Sequence, residues 1–327
     1  MILSIIIVNW KSADFTRKCL ASVYDHAKDM KLEIFVIDNA SFDGCGEMIQ
    51  REFPKVRFIQ SQENLGFARA NNIGFGHSRG GVLMFLNPDT EIVGPALQDM
   101  MTCVHSTQDA GVVGAKLLNS DLTIQTSCLQ SFPSILNQFL DTEWLRTMFP
   151  KSSLWGNRAL WEESLQPVPV EGISGACMMM RRSVFKRAGC FSQDYFMYAE
   201  DMDLCYKVQK LGKRNYYVGS AVVIHHGGQS SGSQSNNHFS ALVMRDSLRT
   251  YFRVHRSDLY ARLFQSATAI AALCRVLGLA GVIVLPLSEQ KRRTVSNALA
   301  KWSRVLRWAL GLEPWVGQLQ NKQESKS

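Results

Sequence analysis

None of the eight cysteines is paired as C-x-x-C; Cys19, Cys45, Cys103, Cys128, Cys177, Cys190, Cys205 and Cys274 stand singly along 327 residues. That excludes a zinc ribbon or a thioredoxin-like motif and reads as reduced thiols of a cytosolic protein, not as a disulfide framework. Long apolar runs are also scarce. The longest uncharged one in the apolar C-terminal part is Val276–Leu287, 12 residues, which rise about 18 Å as a helix against a hydrocarbon core of about 30 Å. A transmembrane span is therefore disfavoured. The apolar start, Met1 to Val8, has no basic n-region and runs straight into Asn9, so it reads as a first buried strand and not as a signal peptide. Internal repeats are absent too.

At 46% hydrophobic and 20% charged residues, the chain is neither disordered nor collagen-like, and it is long enough for one large or two ordinary domains. Its formal charge of +8 is unevenly placed. Residues 245–327 hold 14 Lys+Arg against 5 Asp+Glu, leaving 22 against 23 for residues 1–244. A nearly neutral body carries a basic tail, and the tail alone points to an anionic surface, nucleic acid or acidic membrane.

Over residues 1–117, β-rich runs (Leu3–Val8, Ile34–Ile37, Val56–Ile59, Val82–Leu86, Gly111–Ala115) alternate with helical patterns around Asp14–His26, Ala68–His77 and Pro95–Ser106. Such alternation predicts an α/β fold with a mostly parallel central sheet flanked by helices. Ligands bind such sheets at the carboxyl ends of the strands, which directs attention to Asn9-Trp10, Asp38-Asn39 and Asn87-Pro88-Asp89. Each of these is also compatible with ordinary turn chemistry. Residues 118–168, irregular and holding Pro133, Pro150 and Pro167, read as an insertion or lid. A core strand through Met178-Met179-Met180, a helix over Ala199–Leu211 and a strand over Asn215–Ile224 follow. The Gly/Ser-rich loop from Gly227 to Ser235 is predicted to be mobile. In the tail, Lys291–Leu312 sets Lys291, Arg292, Arg293, Lys301, Arg304 and Arg307 among Trp302, Leu306, Trp308 and Leu310. That pattern describes an amphipathic helix in the membrane interface, or a helical cap packed on the body or on a second subunit in a homo-oligomer.

The chemistry-bearing residues are individually weak signals. Asp38 at a strand end suits a nucleobase or ribose, or a solvated Asx-turn. Asn64-Leu65-Gly66 opens a helix whose first amides, with Arg69, suit a phosphate, and Asn64 is equally an N-cap. Pro88 turns the chain and projects Asp89 from the sheet edge, where one carboxylate and one neutral amide (Asn87) can hold a hard divalent ion completed by diphosphate oxygens and water. Glu200 and Asp201 flank the Leu204/Val208/Leu211 stripe, with Asp203 about 100° away from it. One of them can act as a general base, and periodicity does not separate the first two. His225 and His226 end a strand and point to opposite faces, so at most one faces a site.

Taken together, these landmarks resemble the family 2 glycosyltransferases of GT-A fold, most closely the rhamnosyltransferase-like branch that builds bacterial surface polysaccharides. The matching residues are Ile7-Val8-Asn9-Trp10, Val36-Ile37-Asp38-Asn39-Ala40-Ser41 with Asp43, Asn64-x-Gly66-Phe67-Ala68 with Asn71-Asn72-x-Gly74, and Leu86-Asn87-Pro88-Asp89-Thr90. Ser174-Gly175-Ala176, Glu200-Asp201-Met202-Asp203-Leu204 and His225-x-x-Gly228-x-Ser230 complete the ordered set across residues 3–255. The resemblance implies a GT-A domain over 1–255 and an apolar, basic helical extension over 256–327 that associates with membrane. It also implies a donor site of Asn9, Asp38, Asn39, Ser41, Asn64, Gly66, Arg69, Asn71, Asn87 and Asp89. Metal ligands would be Asp89 and His225, and Asp201, flanked by Glu200, would match the general base. Asn87 stands where the family's D-x-D motif has its first acid. The implied chemistry is inverting, Mg2+- or Mn2+-dependent transfer from a nucleotide-diphospho-sugar such as dTDP-rhamnose to a lipid-linked saccharide, by an enzyme peripheral on the inner face of the cell membrane.

Two other readings compete. A sugar nucleotidyltransferase would open with a Gly-rich phosphate loop, and Asn9-Trp10-Lys11-Ser12-Ala13 has no glycine. A non-catalytic, membrane-bound carbohydrate-binding relative would have lost its acidic positions, whereas Asp38, Asp89 and Asp201 are all present. A nucleic-acid partner is not expected, because the body carries no positive surplus.

Overall fold

The computed structural model describes residues 2–27, 30–140, 148–149, 166–227, 237–286 and 288–316. These divide into two compact units. One comprises Met1–Phe132, Asp141–Ser192 and Glu200–Gly232; the other comprises Pro133–Leu140, Gln193–Ala199 and Ser233–Ser327.

The first unit is built on a nine-stranded sheet. Strand β1 (Leu3–Asn9), with three consecutive isoleucines, is buried along almost its whole length, as a central strand of a parallel sheet must be. It pairs in parallel with β2 (Leu32–Asp38) on one side and β4 (Val82–Leu86) on the other, and β3 (Arg57–Gln60) extends the sheet beyond β2. Beyond β4 the sheet is mixed. Strand β10 (Cys177–Arg181) runs antiparallel between β4 and β6 (Ala110–Leu118), and β11 (Arg214–His225) returns parallel to β6. Strands β5 (Thr90–Val93) and β8 (Val168–Val170) lie antiparallel to β11, while β7 (Leu129–Gln130) and β9 (Gly172–Ile173) form a separate pair. The methionines Met178, Met179 and Met180 lie in β10 with no exposed surface, a core strand as expected.

Helices cover the sheet because their apolar residues recur at helical spacing. Helix α1 (Ala13–His26) buries Thr16, Cys19, Leu20 and Val23, and α4 (Ala96–Ser106) buries Leu97, Met100, Cys103 and Val104. Helix α3 (Gly66–His77) buries Ala68, Ala70, Asn71 and Gly74, and Gly74 admits no Cβ because Ile6 would stand 2.5 Å from it. Within residues 1–117, two elements escape the sequence pattern, β5 and the short helix α2 (Cys45–Glu52). Phe85, Phe185 and Phe191 meet at centroid distances of 4.8–5.3 Å, joining β4 to α6 (Arg182–Arg187) and to the chain after it. Every described cysteine is unpaired, and burial pushes the thiols of Cys19, Cys45 and Cys177 up to about 12. Helix α7 (Glu200–Lys210) precedes β11.

The second unit is helical, with α5 (Ile135–Leu140), α8 (Asn237–His255), α9 (Asp258–Ile283) and α10 (Glu289–Ala309). Helix α9 continues unbroken through Arg262 and Arg275 and is long and apolar enough, by length and composition, to cross a membrane. This is more than the 12-residue run suggests, because helix continuity does not stop at a charged residue. In α10 the basic residues Lys291, Arg292, Arg293, Arg304 and Arg307 are exposed, as the amphipathic reading requires. The tryptophans are placed differently from the interfacial expectation. Trp308 is 4% exposed and its indole N–H donates to Asp246 Oδ1 at 3.2 Å, so it anchors the helix inward. Residues 228–236 and most of 141–165 lie outside the described residues. The predicted mobile Gly/Ser loop beyond Gly227 and the landmarks Gly228 and Ser230 therefore lie outside the described residues, as does the middle of the predicted insertion over 118–168, whose described part holds β7 and α5.

Candidate active site

Strands β1, β2 and β4 are mutually parallel, and β11 shares their direction through the antiparallel β10 and the parallel β6–β11 pair. Their carboxyl ends therefore share one sheet edge, and Asn9, Asp38, Asn87–Asp89 and His225 are their terminal or next residues. The order β2-β1-β4 reverses direction of build at β1, the switch point at which such sheets bind ligands.

Asp38 is 1% exposed and sits in a nest of donors. It accepts from Asn9 Nδ2 at 2.6 Å, Gln60 Nε2 at 2.6 Å and the Ser41 amide at 2.9 Å. Burial alone would raise its carboxyl, but the bonds from Asn9, Gln60 and Ser41 outweigh it and hold the group below its ordinary value. Asn9 is fully buried, and its side-chain Oδ1 accepts from the Ser12 and Thr16 hydroxyls. Asn9 is thus a positioning residue behind Asp38. Ser41 Oγ accepts the Lys11 amide at 2.8 Å. Asp43 takes the Ala13 amide at 3.0 Å and the Cys45 amide at 3.3 Å, capping α1 and α2 together. Lys11, Ala40 and Phe42 all have φ between 51° and 59°, a concentration of left-handed non-glycine backbone typical of ligand loops. Gln60 carries no motif in the sequence; its role appears only once β3 lies beside β2.

The Asn39 side chain ties this loop to the next. Its amide donates to Asn64 Oδ1 at 2.9 Å and to the Gly66 carbonyl at 3.1 Å, and its oxygen accepts the Leu65 amide at 2.8 Å. Asn64 in turn caps the Gly66 amide at 3.0 Å. Gly66 itself takes φ +72°, a conformation few other residues adopt. Asn71 is buried and donates to the Phe67 carbonyl, one turn back in α3. Arg69, in the first turn, has no hydrogen bond or ion pair to any described residue and is half-buried. A free guanidinium beside a helix N-terminus offers charge to a phosphate.

The two histidines separate cleanly. His226 is occupied by Glu91 at 2.8 Å, Ser120 at 2.8 Å and the Phe15 ring. His225 faces Asp89. Its Nδ1 lies 2.7 Å from Gln125 Oε1, and Gln125 Nε2 donates to Asn119 Oδ1 at 3.1 Å, which fixes the glutamine so that its oxygen meets the ring. An oxygen acceptor there places the ring proton on Nδ1 and leaves Nε2 a bare lone pair. Nε2 stands 3.4 Å from Asp89 Oδ1, an oxygen that is buried without a hydrogen bond from any described residue. Asn87 turns its amide nitrogen to the same Nε2 at 3.4 Å, a neutral contact in place of an acid. An imidazole nitrogen and a carboxylate oxygen facing each other are the ligand types that fit a cation between them. No group of three or more His, Cys, Asp and Glu side chains is arranged for a metal among the described residues. An ion here would take Asp89 and His225 and complete its shell from ligand oxygens and water.

The turn Ser174–Ala176 links this centre to the acids of α7. The Gly175 amide donates to Asp201 Oδ2 at 2.9 Å, and the Asn87 amide donates to the Ala176 carbonyl at 2.9 Å. Asp201 also accepts the Met202 amide on Oδ1 at 2.8 Å and remains half-buried. Burial raises its carboxyl, and the Gly175 and Met202 amides hold back only part of that rise. Glu200 is 6% exposed with Oε2 unpartnered. Burial first, and the charge of Asp201 second, drive its carboxyl well above the ordinary value. Asp203 is 1% exposed and paired with Lys207 at 2.8 Å, so the third acid is internal, nearer the core than its angular position suggests. A buried glutamate and a partly accessible aspartate, raised by burial and joined to the centre through Gly175, make Asp201 the candidate base.

Residues 4–189 match the sequence model of the family described as Glycosyl transferase family 2. Among curated proteins, the chain is 28% identical to the N-acetylglucosaminyl-diphospho-decaprenol L-rhamnosyltransferase of Mycobacterium tuberculosis, over 73% of this chain and 81% of that protein. It is 27% identical to the rhamnosyltransferase WbbL of Escherichia coli, over 76% and 90%. Among solved structures, the mannosyltransferase PcManGT of Pyrobaculum calidifontis in complex with GDP-Man and Mn2+ is similar in fold, with a TM-score of 0.55 and 17% identity over 94% of this chain and 86% of that one. GalNAc-T7, solved with UDP, GalNAc and Mn2+, gives a TM-score of 0.54 at 15% identity, over 79% and 52%.

Proposed function

Because the chain belongs to glycosyl transferase family 2, we propose that it moves a deoxyhexose, rhamnose foremost, from a nucleotide-diphosphate donor to a lipid-linked saccharide in cell-surface polysaccharide synthesis, with inversion at the anomeric carbon. The observation that carries this reading is the sheet edge itself. A fully bonded Asp38, an unpartnered Arg69 and the Asp89–His225 pair lie on it, and Asp201 is joined to it through Gly175. The relatives named for rhamnosyl transfer, one of them with a diphospho-decaprenol acceptor in its name, support the choice of donor and acceptor.

Asp38, held anionic, accepts from the nucleoside, and Asn39 with Asn64 sets the loop that opens α3. Arg69 and the first amides of α3 bind the phosphates. Asp89 and His225 would hold a divalent ion, Mn2+ or Mg2+, whose charge would offset that of the leaving diphosphate. Asp201 Oδ accepts the proton of the acceptor hydroxyl as its oxygen bonds to the anomeric carbon. The bond from that carbon to the diphosphate oxygen breaks, and the nucleoside diphosphate leaves with the electron pair. Glu200, protonated, keeps a second charge away from Asp201. The basic face of α10 and the apolar length of α9 support a peripheral position on an anionic membrane, where a lipid-linked acceptor resides.

The test is sugar release from a panel of nucleotide sugars, with EDTA and after restoring Mn2+ or Mg2+. Release confined to dTDP-rhamnose and abolished by EDTA is expected. Turnover that persists in EDTA removes the metal role, and turnover with another donor alone replaces rhamnose.

A further inference from the structure

In the helical unit, guanidinium groups from two helices stack on one indole of a third, next to a lysine in the chain. The guanidinium carbon of Arg275 in α9 stands 4.2 Å from the Trp302 ring centroid, and that of Arg245 in α8 stands 5.1 Å from it. Lys301 is the neighbour of Trp302 in α10. All four side chains are half-buried. Helical spacing puts Arg275 on the same side of α9 as the buried Phe264, Thr268 and Ala272, opposite the exposed Leu263, Ile270 and Leu277. It therefore lies on the helix's packed face.

Among the described residues the cluster has no counter-charge. The polar contacts of the two arginines are one bond each to a carbonyl of their own helix, Ala241 for Arg245 and Ala271 for Arg275. None of the three cations pairs with a carboxylate among the described residues. Arg249, one turn along α8, shows the ordinary solution, an ion pair with Asp246 at 3.1 Å. Burial, then the charge of Arg275, pushes Arg245 down to about 10, and burial, then the charge of Arg245, lowers Lys301. Stacking on an indole stabilises a guanidinium by about 0.5–2 kcal/mol, which accounts for two flat cations. It does not account for Lys301, a point charge set against them.

We propose that Arg245, Arg275 and Lys301, ordered around Trp302, form a binding site for a diphosphate group. Planar guanidinium forks suit phosphate oxygens bidentately, and the lysine adds a point charge. Three cations match the two to three charges of a diphosphate ester and exceed the single charge of a phosphodiester headgroup. The ligand is either a soluble diphosphate or a diphosphate carried on a lipid, and the test separates the two. Neither the donor site nor the transfer chemistry is needed for this assignment.

The probe is the amine of Lys301 in the full-length protein. Its rate of acylation by an amine-reactive reagent is followed by peptide mass spectrometry, with Lys213 as an internal control. Inorganic diphosphate is expected to slow labelling of Lys301 saturably and leave Lys213 unchanged, and phosphate at matched ionic strength should do so at about tenfold higher concentration. Arg275→Gln and Arg245→Gln should each raise the half-protecting concentration about tenfold or more. Trp302→Phe, which keeps an aromatic face, should raise it less and guards against misfolding of the arginine variants. Phosphatidylcholine vesicles carrying a polyprenyl diphosphate are compared with vesicles carrying phosphatidylglycerol. Protection by the first identifies a lipid-borne ligand; protection by inorganic diphosphate but not by those vesicles identifies a soluble one. Equal protection by phosphatidylglycerol, no protection by any diphosphate, or protection insensitive to Arg275→Gln in a folded variant overturns the assignment.

Discussion

Replacing the two adjacent acids of α7 one at a time should give opposite results. Asp201→Asn removes the base, and a positioned general base contributes about 10²–10⁴-fold. The substitution also disturbs structure, because Asp201 accepts the Gly175 amide on one oxygen and the Met202 amide on the other. Asparagine has one acceptor for these two donors, and the stranded amide costs about 1–3 kcal/mol. Against a stability of about 5–15 kcal/mol, that leaves nearly all molecules folded, so unfolding does not produce a hundredfold loss of kcat. Glu200→Gln is nearly isosteric with the protonated side chain and should hold kcat within about threefold, well under the cost of losing a base. The assay is kcat and kcat/KM for sugar transfer against pH, with thermal denaturation of each variant. Asp201 lies above its ordinary value, so the acid limb of kcat/KM should sit above the usual aspartate range and be absent from Asp201→Asn. If Glu200 keeps its proton, Glu200→Gln leaves that limb in place. An anionic Glu200 would instead be a like charge whose removal moves the limb to lower pH. A large kcat loss in Glu200→Gln, or a shifted limb, refutes the assignment of roles.

Glu200→Gln should also raise the melting temperature at neutral pH. A carboxyl whose folded value lies above its unfolded one loses stability as pH rises between the two, so the gain should vanish below the unfolded value of 4.5, as differential scanning across pH would show. Asp38 has the opposite sign. Its folded value is depressed, so its contribution is present above 3.8 and is lost as pH falls through the folded value. Asp38→Asn should cost about 1.5–3 kcal/mol by denaturant titration at pH 7, with the gap to wild type closing in strong acid. Gln125→Ala should weaken Mn2+ binding in the presence of a nucleoside diphosphate by about 10–100-fold, while Gln125→Glu, which still accepts the His225 Nδ1 proton, keeps it. Equal affinity in all three proteins would show that the tautomer does not matter. Trp308→Phe removes the indole donor from the buried Asp246 carboxylate, which keeps Arg249 as its partner, and should destabilise the protein by about 0.5–1.5 kcal/mol in a thermal melt.

The sheet and its edge were legible because the signals are local. A run such as Ile5-Ile6-Ile7 has one stable place, the middle of a parallel sheet, and the residue that ends it lands at the ligand edge. What the pattern could not resolve depends on partners far along the chain. Glu200 and Asp201 are equivalent on a helical wheel. They differ because the Gly175 amide, 26 residues earlier, reaches only Asp201. The choice between His225 and His226 likewise rests on Gln125, a loop glutamine 100 residues before the ring that it orients. Gln60 became visible only when β3 paired with β2 and carried its amide to Asp38.

The basic tail shows the same limit for charge. Net charge and residue type point to an anionic partner without saying which cations are available to it. Arg249 is neutralised by Asp246, and Arg307 by Glu313 at 3.0 Å. Lys291, Arg292, Arg293 and Arg304 are exposed on α10, where screening by salt leaves each worth little alone. Arg245, Arg275 and Lys301 are half-buried and pair with no carboxylate among the described residues, so a bound phosphate oxygen there meets charges that water screens less. The tryptophans divide along the same line, Trp308 closing the core against Asp246 and Trp302 ordering the unpaired cations. One surplus thus serves two purposes. A diffuse exposed set favours a surface, and a compact half-buried set selects the number of charges on a ligand.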